Sequence, residues 1–399
     1  MQLGICGKPN CGKSTFFKAA TLMDVLIANY PFATIKPNTG AGFVRVDCAD
    51  TFFNTQCNPR EGFCKNHQRF VPIQIIDVAG LVPGAHEGKG LGLEFMNDLN
   101  QADCLIHVID ASGGTNERGE PVLAGSYDPA NDIRFLEVEL DYWYLDILKK
   151  GWDRFSRQFQ MEQGDIAKAL AKQLSGVRVS EELAKEILKK VSFNTTNPVK
   201  WTEENLLELA TLLRKATKPM VIAANKIDTK TAQDNITRLQ KEFPEYHIIP
   251  VSEETELALK EAGKRELIDY VPGDDTFRIL HPEKLSEKQT AALNFMQTEV
   301  LTKNKGTGVQ AVLNTAVFDM LRYIYIYPGG VHKLTDQYGR TLPDCFLMPP
   351  GTTAIDFAFK LHTDFGKNFI RAIDVKRKLP IGKDHVLQKG DVVEIMAGK

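Results

Sequence analysis

Short apolar runs punctuate the sequence, and each is followed by polar residues. Four runs stand out, at residues 2–6, 72–76, 104–109 and 220–224. Continuous apolar runs of this length are typical of strands that are buried on both faces of a parallel sheet. Helical patterns separate the runs, so the sequence predicts a doubly wound α/β domain, in which ligands bind at the carboxyl ends of the strands.

The spacing of apolar residues becomes helical near the middle of the chain. They recur every three or four residues from Ile133 to Ile147, and charged helical sequence extends from 160 to 190. Ser286 and Gln289 form a capping box that predicts a later helix. The predicted domains are an α/β domain at 1–130 and 219–280, a helical, coiled-coil-like insertion at 131–218, a helical connector at 281–326, and a C-terminal domain at 327–399. The C-terminal domain is predicted to contain short strands and one amphipathic helix around residues 354–362.

A glycine-rich segment follows the first apolar run directly. Residues 7–14 read GKPNCGKS and fit the pattern G-x-x-x-x-G-K-[ST]. In this pattern backbone N–H groups surround phosphate oxygens, Lys13 places a positive charge at the β- and γ-phosphates, and the Ser14 hydroxyl reaches Mg²⁺. The segment therefore predicts a nucleotide-binding loop. Its candidate nucleotide-binding residues are Lys8, Pro9, Asn10, Cys11, Gly12, Lys13, Ser14 and Thr15.

A second motif follows the run at 72–76. Asp77 opens a D-x-x-G sequence that ends at Gly80. At this position a carboxylate can reach Mg²⁺ through water, and the Gly80 N–H can meet the γ-phosphate. The motif comes one strand after the phosphate loop, which favours a metal and γ-phosphate contact over an ordinary turn.

A third motif follows the run at 220–224. Residues 225–228 read Asn-Lys-Ile-Asp, and Asn225, Lys226 and Asp228 occupy the fixed positions of N-K-x-D. The Asp228 carboxylate can accept hydrogen bonds from N1–H and the N2 amine of guanine. Adenine presents an acceptor at N1 and would leave the carboxylate unpaired. The motif therefore predicts that GTP is selected over ATP.

Three segments carry a resemblance to a known family. Residues 29–40 (NYPFATIKPNTG) and 77–95 (DVAGLVPGAHEGKGLGLEF) resemble the Obg family of translation-factor-class P-loop GTPases, and residues 334–373 resemble a TGS domain. Together they are similar to the archaeal YchF-type branch. The resemblance implies a β-grasp (ubiquitin-like) C-terminal domain, a switch I threonine at Thr34 that contacts Mg²⁺ and the γ-phosphate, and switch II at 80–92.

The base-recognition motifs differ from those of relatives. Bacterial and eukaryotic YchF relatives carry a changed motif and favour ATP, whereas this chain keeps the guanine-reading Asn225 and Asp228. The fifth motif of the family is usually Ser-Ala-Lys and reads Ser252-Glu253-Glu254 here. Ser252 and Glu253 are therefore the candidate residues beside the base, and the side chains that follow Ser252 differ from those of the usual motif.

The catalytic apparatus lacks one familiar side chain. Leu81 stands where Ras-like enzymes have a glutamine that orients the attacking water. The resemblance thus implies slow intrinsic hydrolysis, with Lys13, Thr34 and Gly80 as the catalytic residues. Two interpretations of Asn10 stay open: it holds a K⁺ ion that offsets γ-phosphate charge, as in related GTPases, or it shapes the loop by bonding its own backbone.

A polar segment ahead of Asp77 contains four candidate metal ligands, Cys48, Cys57, Cys64 and His67. Their spacing does not match a C-x₂-C zinc knuckle, so reduced thiols are favoured over zinc, and the zinc alternative stays open. The chain has seven cysteines, and this odd number in a long sequence also favours reduced thiols.

The C-terminal domain contains a basic segment with one acidic residue, Asp374. Such a segment can contact phosphate backbones, with Phe365 and Phe369 close in sequence, or it can form an ordinary solvated face. TGS domains are linked to ribosome and RNA contacts, which favours the first reading. The candidate nucleic-acid contacts are Lys367, Arg371, Lys376, Arg377, Lys378 and Lys383.

Composition limits the class of protein and its partners. Hydrophobic residues make up 43% of the 399 residues and charged residues 25%, as in globular proteins. The formal net charge is −2, so nucleic-acid binding requires a local basic patch. No apolar run approaches the length of a membrane span, and no secretory signal is recognised, so we expect a cytoplasmic monomer without membrane contacts.

These observations converge on a Mg²⁺-dependent molecular switch that binds GTP and GDP and hydrolyses GTP. Loss of the γ-phosphate would release switches I and II. The resemblance implies action on ribosomes or RNA through the TGS and helical domains. The alternative is an ATPase of YchF type in stress or redox signalling.

Overall fold

The structure, a computed structural model, describes residues 1–21, 38–78, 98–162 and 164–398. In this part of the chain no helix combines the length and the apolar character needed to cross a membrane. The chain forms two compact units, Met1–Lys13 with Ile76–Ile248 and Ser14–Ile75 with Ile249–Lys399. These units do not follow the four domains expected from the sequence, whose boundaries stay predictions.

The first 250 residues contain both strands and helices, with five successive helices between Ala130 and Thr217, and strands dominate after residue 320. The described strands are β1 (Gln2–Cys6), β2 (Thr39–Asp47), β3 (Phe63–Lys65), β4 (Gln68–Asp77), β5 (Cys104–Asp110), β6 (Met220–Asn225), β7 (His247–Pro250), β8 (Ile268–Tyr270), β9 (Phe277–Ile279), β10 (Ile324–Pro328), β11 (Phe346–Met348), β12 (Phe369–Asp374), β13 (Leu379–Ile381) and β14 (Val392–Ala397). The described α-helices are α1 (Lys13–Thr21), α2 (Ala130–Lys149), α3 (Trp152–Glu162), α4 (Ile166–Gln173), α5 (Glu181–Leu188), α6 (Glu203–Thr217), α7 (Ala232–Glu242), α8 (Glu253–Lys264), α9 (Glu287–Phe295), α10 (Val309–Asn314), α11 (Ala354–Leu361) and α12 (Thr363–Lys367), with a further turn at Thr302–Asn304.

A parallel ladder forms the centre of the first unit. Strand β5 pairs with β1 on one side and β6 on the other, so that Ile106 lies opposite Ile5 and Val221. Every residue of β5 and β6 is buried. The apolar runs at 2–6, 104–109 and 220–224 thus form strands as predicted, and the run at 72–76 lies within β4.

Five helices between Ala130 and Thr217 share one apolar core in the first unit. Helix α2 packs along α6, and buried leucines from both, including Leu148 and Leu209, meet in this core. Trp152 and Trp201 stack with their ring centroids 5.3 Å apart. The helical spacing in the sequence is therefore explained by one continuous buried surface.

Helices α9 and α10 belong to the second unit. The predicted capping box is present, because the Ser286 hydroxyl accepts from the Gln289 N–H while the Gln289 side chain accepts from the Ser286 N–H. Both helices continue as π-helical turns, at Met296–Leu301 and Thr315–Met320. Asn314 exchanges hydrogen bonds with both backbone groups of Arg45, which joins α10 to β2.

The C-terminal part of the second unit is a five-stranded sheet in the order β11-β10-β14-β12-β13. Strand β10 is parallel to β14, and the other neighbours are antiparallel. Phe357 of α11 is fully buried in the core of this sheet. The amphipathic helix expected around residues 354–362 is α11, and His362, which is extended (φ −163°), separates it from the short helix α12, which the sequence did not predict.

Candidate nucleotide-binding site

The phosphate loop follows β1, and its shape depends on glycine. A Cβ added to Gly7 would lie 2.4 Å from the Val108 carbonyl oxygen of β5, closer than real contacts allow. Gly12 has a φ of +100°, which disfavours any residue with a side chain. The loop can therefore turn tightly against the sheet and then enter α1 at Lys13.

Lys13 forms an ion pair with Asp77 at the end of β4. Both side chains are largely buried, with 13% and 20% of their surface exposed. The pair brings together the two charged groups that the sequence assigns to phosphate and to metal. An ammonium and a carboxylate in contact at the carboxyl ends of strands can bind an anion and a cation side by side.

Asn225 ties the third motif to the phosphate loop. Its side chain is fully buried, and Nδ2 donates to the Cys11 carbonyl oxygen at 2.9 Å. Lys226 adds a second link, because its Nζ donates to the Asn10 carbonyl oxygen at 3.3 Å. Asp228, two residues further on, is exposed. The loop's backbone thus fixes the start of the base-recognition motif.

Asp110, the last residue of β5, organises the surrounding loops. Its carboxylate is fully buried and accepts from Lys226 Nζ at 2.8 Å and from the Thr115 hydroxyl at 3.0 Å. The backbone and hydroxyl of Ser112 donate to the other oxygen. Burial raises the pKa of this carboxyl, but the bonds from Lys226, Ser112 and Thr115 outweigh burial and hold the pKa below its usual value.

The segment after β5 was missed by the sequence analysis. Gly119 packs so closely on the phosphate loop that an added Cβ would lie 2.4 Å from the Pro9 carbonyl oxygen, and its φ is +78°. The Gly119 carbonyl oxygen accepts from Asn10 Nδ2 at 2.9 Å. A usable signal was present, since the sequence ASGGTNERG follows a buried strand at the edge where ligands bind.

Lys8 is held by this same segment. Its Nζ lies 2.9 Å from Asp132, donates to the Thr115 carbonyl oxygen at 2.8 Å, and sits 3.9 Å from the centre of the Tyr127 ring. Burial raises the pKa of Asp132. The side chain of Lys8 therefore joins the phosphate loop to the segment after β5. A contact between the Lys8 backbone and the nucleotide stays a prediction.

Four other candidate residues lie in the second unit. Ser14 is exposed and Thr15 half-buried in the first turn of α1. Ser252 and Glu253 are buried at the start of α8, where the Ser252 N–H donates to the Thr307 carbonyl oxygen at 2.9 Å. Their roles at the nucleotide stay predictions. Thr34, Gly80 and Leu81 lie outside the described residues.

The predicted nucleic-acid contacts lie on and around the β12–β13 hairpin. Lys376 is engaged internally, because its Nζ donates to the Gly390 carbonyl oxygen at 2.6 Å. Arg377 lies 3.6 Å from Asp374. The other four side chains, Lys367, Arg371, Lys378 and Lys383, are exposed.

Three stretches of the chain match known families. Residues 2–127 match a family described as 50S ribosome-binding GTPase, residues 223–330 an Obg-like GTPase YGR210-like, G4 motif-containing domain, and residues 323–397 a TGS domain. The phosphate loop, the strands that carry its partner motifs and the C-terminal sheet thus define a P-loop GTPase with a TGS domain.

Similarity to individual proteins extends over the full length. The chain is 46% identical to a GTP-binding protein of Methanocaldococcus jannaschii over 99% of each chain. It is 27% identical to the ribosome-binding ATPase YchF of Bacillus subtilis over 98% of each. The crystal structure of a GTP-binding protein from Pyrococcus horikoshii is 36% identical, covers 100% of each chain and has a TM-score of 0.78. The chain belongs to the Obg-like, YchF-type family of GTPases, which confirms the resemblance and the fold class predicted from the sequence.

Proposed function

We propose that this protein is a Mg²⁺-dependent switch that hydrolyses GTP in preference to ATP. One observation supports this most strongly: Asn225 and Lys226 bond to the backbone of the phosphate loop at Cys11 and Asn10. These bonds couple the position of the base-reading motif to the position of the phosphates. A ligand that spans both motifs would be a nucleotide, and the Asp228 carboxylate, which can accept from N1–H and the N2 amine of guanine, favours GTP over ATP.

The residue types at Asp77 and Ser14 suit a hard cation. Carboxylate and hydroxyl oxygens are the ligands that Mg²⁺ prefers, and Asp77 and Ser14 offer one of each. When bound, the ion would neutralise charge on the β- and γ-phosphates. Lys13, which pairs with Asp77 in this structure, would place its ammonium on the same phosphates. Thr34 and the Gly80 N–H complete the proposed set, and loss of the γ-phosphate would free their segments.

Single-turnover hydrolysis of GTP and ATP under identical conditions tests this function. We expect phosphate release from GTP to be Mg²⁺-dependent and faster than release from ATP. Equal rates, or faster release from ATP, would refute the proposed preference. The second candidate is an ATPase, which is favoured by similarity to a relative named as a ribosome-binding ATPase.

Potassium dependence is expected if Asn10 holds a cation at the phosphates. Its Nδ2 donates to Gly119, so its Oδ1 can serve as an oxygen ligand. Exchange of K⁺ for Na⁺ should then lower kcat and leave GDP affinity nearly unchanged, because the ion would act on charge that develops in the transition state. Asn10→Ala should abolish the difference, which is measured by single-turnover GTP hydrolysis at constant ionic strength. Identical wild-type rates in the two salts would eliminate the ion and leave Asn10 as a loop-shaping residue.

We further propose that the C-terminal sheet contacts ribosomal or other RNA through its exposed basic residues. The double variant Lys378→Glu/Lys383→Glu should bind ribosomes more weakly. The number of counterions released on binding, which is measured by the salt dependence of the affinity, should fall by about two. Ribosome co-sedimentation over a range of salt concentrations measures both effects. Lys284→Glu/Lys288→Glu, which reverses two exposed charges outside this sheet, is the matched control. An equal loss of ribosome binding in the two double variants would contradict a specific contact at the C-terminal sheet. A monomer acting in the cytoplasm is part of this proposal.

A further inference from the structure

The segment between β2 and β4 brings several sulfur atoms and one carboxylate together. Cys48 directly precedes a short 3₁₀ turn at Ala49–Thr51, Asp50 is the middle residue of that turn, Cys57 follows it, and Cys64 lies on β3. Strand β3 pairs with β4 so that Cys64 lies opposite Arg69. The hairpin turn has left-handed residues at Asn66 (φ +50°) and His67 (φ +59°), the geometry of a two-residue turn that suits twisted strands.

Four ligand atoms in this segment face one another. The Sγ atoms of Cys48, Cys57 and Cys64 and a carboxylate oxygen of Asp50 all lie within 4.8 Å of one another. Cys48 Sγ is 3.5 Å from Cys57 Sγ, and Cys64 Sγ is 3.8 Å from Asp50 Oδ2. Both thiols of the first pair are free. Within the described residues, this is the group of potential donors close enough to share an ion.

These separations fit a tetrahedral ion. With Zn–S near 2.3 Å and Zn–O near 2.0 Å, ligand atoms at tetrahedral angles lie about 3.5 to 3.8 Å apart. The two pairs above are in this range. The ion would therefore require small adjustments of side chains whose backbone is already in place.

The surroundings support a buried ion rather than a chance group of thiols. Asp50 is fully buried, and His67 Nδ1 lies 3.0 Å from its Oδ1, the oxygen that does not contact Cys64. Arg69, 1% exposed, donates to Cys57 Sγ at 3.8 Å. Metal ligands are deprotonated, and carboxylate ligands are held by hydrogen-bonding partners. Arg69 and His67 would supply the positive charge and the outer hydrogen bond that three thiolates and a carboxylate need.

The same segment is attached to the C-terminal sheet. Arg69 Nη1 and Nη2 donate to the carbonyl oxygens of Leu342 and Pro343 at 3.0 and 2.8 Å. Backbone N–H groups of Asn58 and Arg60 donate to Thr341 and Pro343. The apolar contacts between the two are made by Cys48, Ala49, Cys57, Tyr327, Leu342, Val375 and Val392.

We propose that Cys48, Cys57, Cys64 and Asp50 bind one thiolate-preferring divalent transition-metal ion, represented by Zn²⁺. The bound ion would fix the segment at 48–67 against the C-terminal sheet. Three thiolates favour Zn²⁺ over Mg²⁺ or Ca²⁺, whose ligands are oxygen atoms. A set of four protein ligands without an open position indicates a structural site. The site is separate in its residues from those proposed to bind nucleotide.

The test is to measure the metal content of the full-length protein. The protein is purified under reducing conditions, reconstituted with Zn²⁺ and then freed of excess ion. We expect about one Zn²⁺ per chain, and less than about a tenth of that in Cys57→Ser and Cys64→Ser. Cys345→Ala, which removes a partly buried thiol in the same unit, and Cys104→Ala, in β5, should keep the ion. Circular dichroism establishes that each variant is folded.

Cobalt substitution supplies a second readout that does not depend on stability. Co²⁺-loaded wild-type protein should show thiolate-to-metal charge-transfer absorption and the visible bands of a tetrahedral ion, and Asp50→Asn should alter those bands. Folded wild-type protein that retains no Zn²⁺ and no Co²⁺, or that instead forms a Cys48–Cys57 disulfide in air when Zn²⁺ is present, would overturn the proposal. Loss of the ion in Cys345→Ala would overturn the assigned ligand set.

Discussion

Replacing Lys13 with alanine is expected to reduce single-turnover GTP hydrolysis by at least about 10²-fold, because the missing ammonium faces charge that grows on the β- and γ-phosphates in the transition state. Lys13 is the partner of Asp77 in the structure. The variant should also bind GTP more weakly than wild type while its affinity for the nucleoside guanosine stays nearly unchanged, since guanosine carries no phosphate for Lys13 to contact.

Lys18→Ala is the matched control for this prediction. Lys18 is exposed on the same helix α1, so its removal changes the net charge equally and leaves the phosphate loop intact. Hydrolysis by Lys18→Ala should equal that of wild type. If Lys13→Ala weakens the binding of guanosine and of GTP by the same factor, the substitution has disturbed the fold and the assigned role of Lys13 is wrong.

Asp228→Asn should weaken GTP binding by about 2 to 4 kcal/mol, because a charged acceptor for two guanine donors becomes a neutral amide. By the relation between free energy and affinity this is about 30- to 1,000-fold. Binding of ATP, which does not present these two donors, should change little, so the preference for GTP narrows. Isothermal titration calorimetry of both nucleotides measures the effect.

Binding of a xanthine nucleotide distinguishes a change in base recognition from damage to the protein. Xanthine carries a carbonyl where guanine carries the N2 amine, so the amide of Asp228→Asn can donate to it. We expect the variant to bind xanthosine triphosphate more tightly than GTP, the reverse of wild type. Asp234→Asn, which removes an exposed carboxylate in the first turn of α7, should behave as wild type. Uniform loss of all nucleotides in Asp228→Asn would contradict the assignment.

Much of the fold follows from local sequence signals. Strands β5 and β6 are buried along their whole length, so apolar character alone marks them. The Ser286 capping box is a local pattern, and it was found where the sequence predicts it. The helix expected around residues 354–362 was also found, as α11, whereas α12 was missed because its five residues are too few to show a helical spacing of apolar positions.

The candidate site was predictable where a motif stands beside a strand. Lys13 and Asp77 lie 64 positions apart in the sequence, yet Lys13 follows the loop after β1, Asp77 ends β4, and the structure joins the two side chains in an ion pair. The contact of Gly119 with Pro9 was not predictable in this way, because it depends on the path of a loop. The role of Lys8 was obscured for the same reason, since its partners Thr115 and Asp132 come from that loop and the helix after it.

The cysteine cluster shows a different limit. Its spacing lacks a C-x₂-C pair, so sequence reasoning favoured unrelated reduced thiols. The grouping of Cys48 with Cys64 depends instead on the hairpin turn at Asn66 and His67, which folds β3 back on β4. Long-range assembly of this kind leaves no fixed ligand spacing in the sequence.

A guanine nucleotide is expected to occupy the site built from the phosphate loop and the motif at residues 225–228. Calorimetric titration of one wild-type sample with GTP, GDP and ATP in the presence of Mg²⁺ tests it most directly. We expect saturable binding of GTP and GDP, with ATP bound at least about tenfold more weakly, a difference of about 1.4 kcal/mol. ATP bound as tightly as GTP would contradict it.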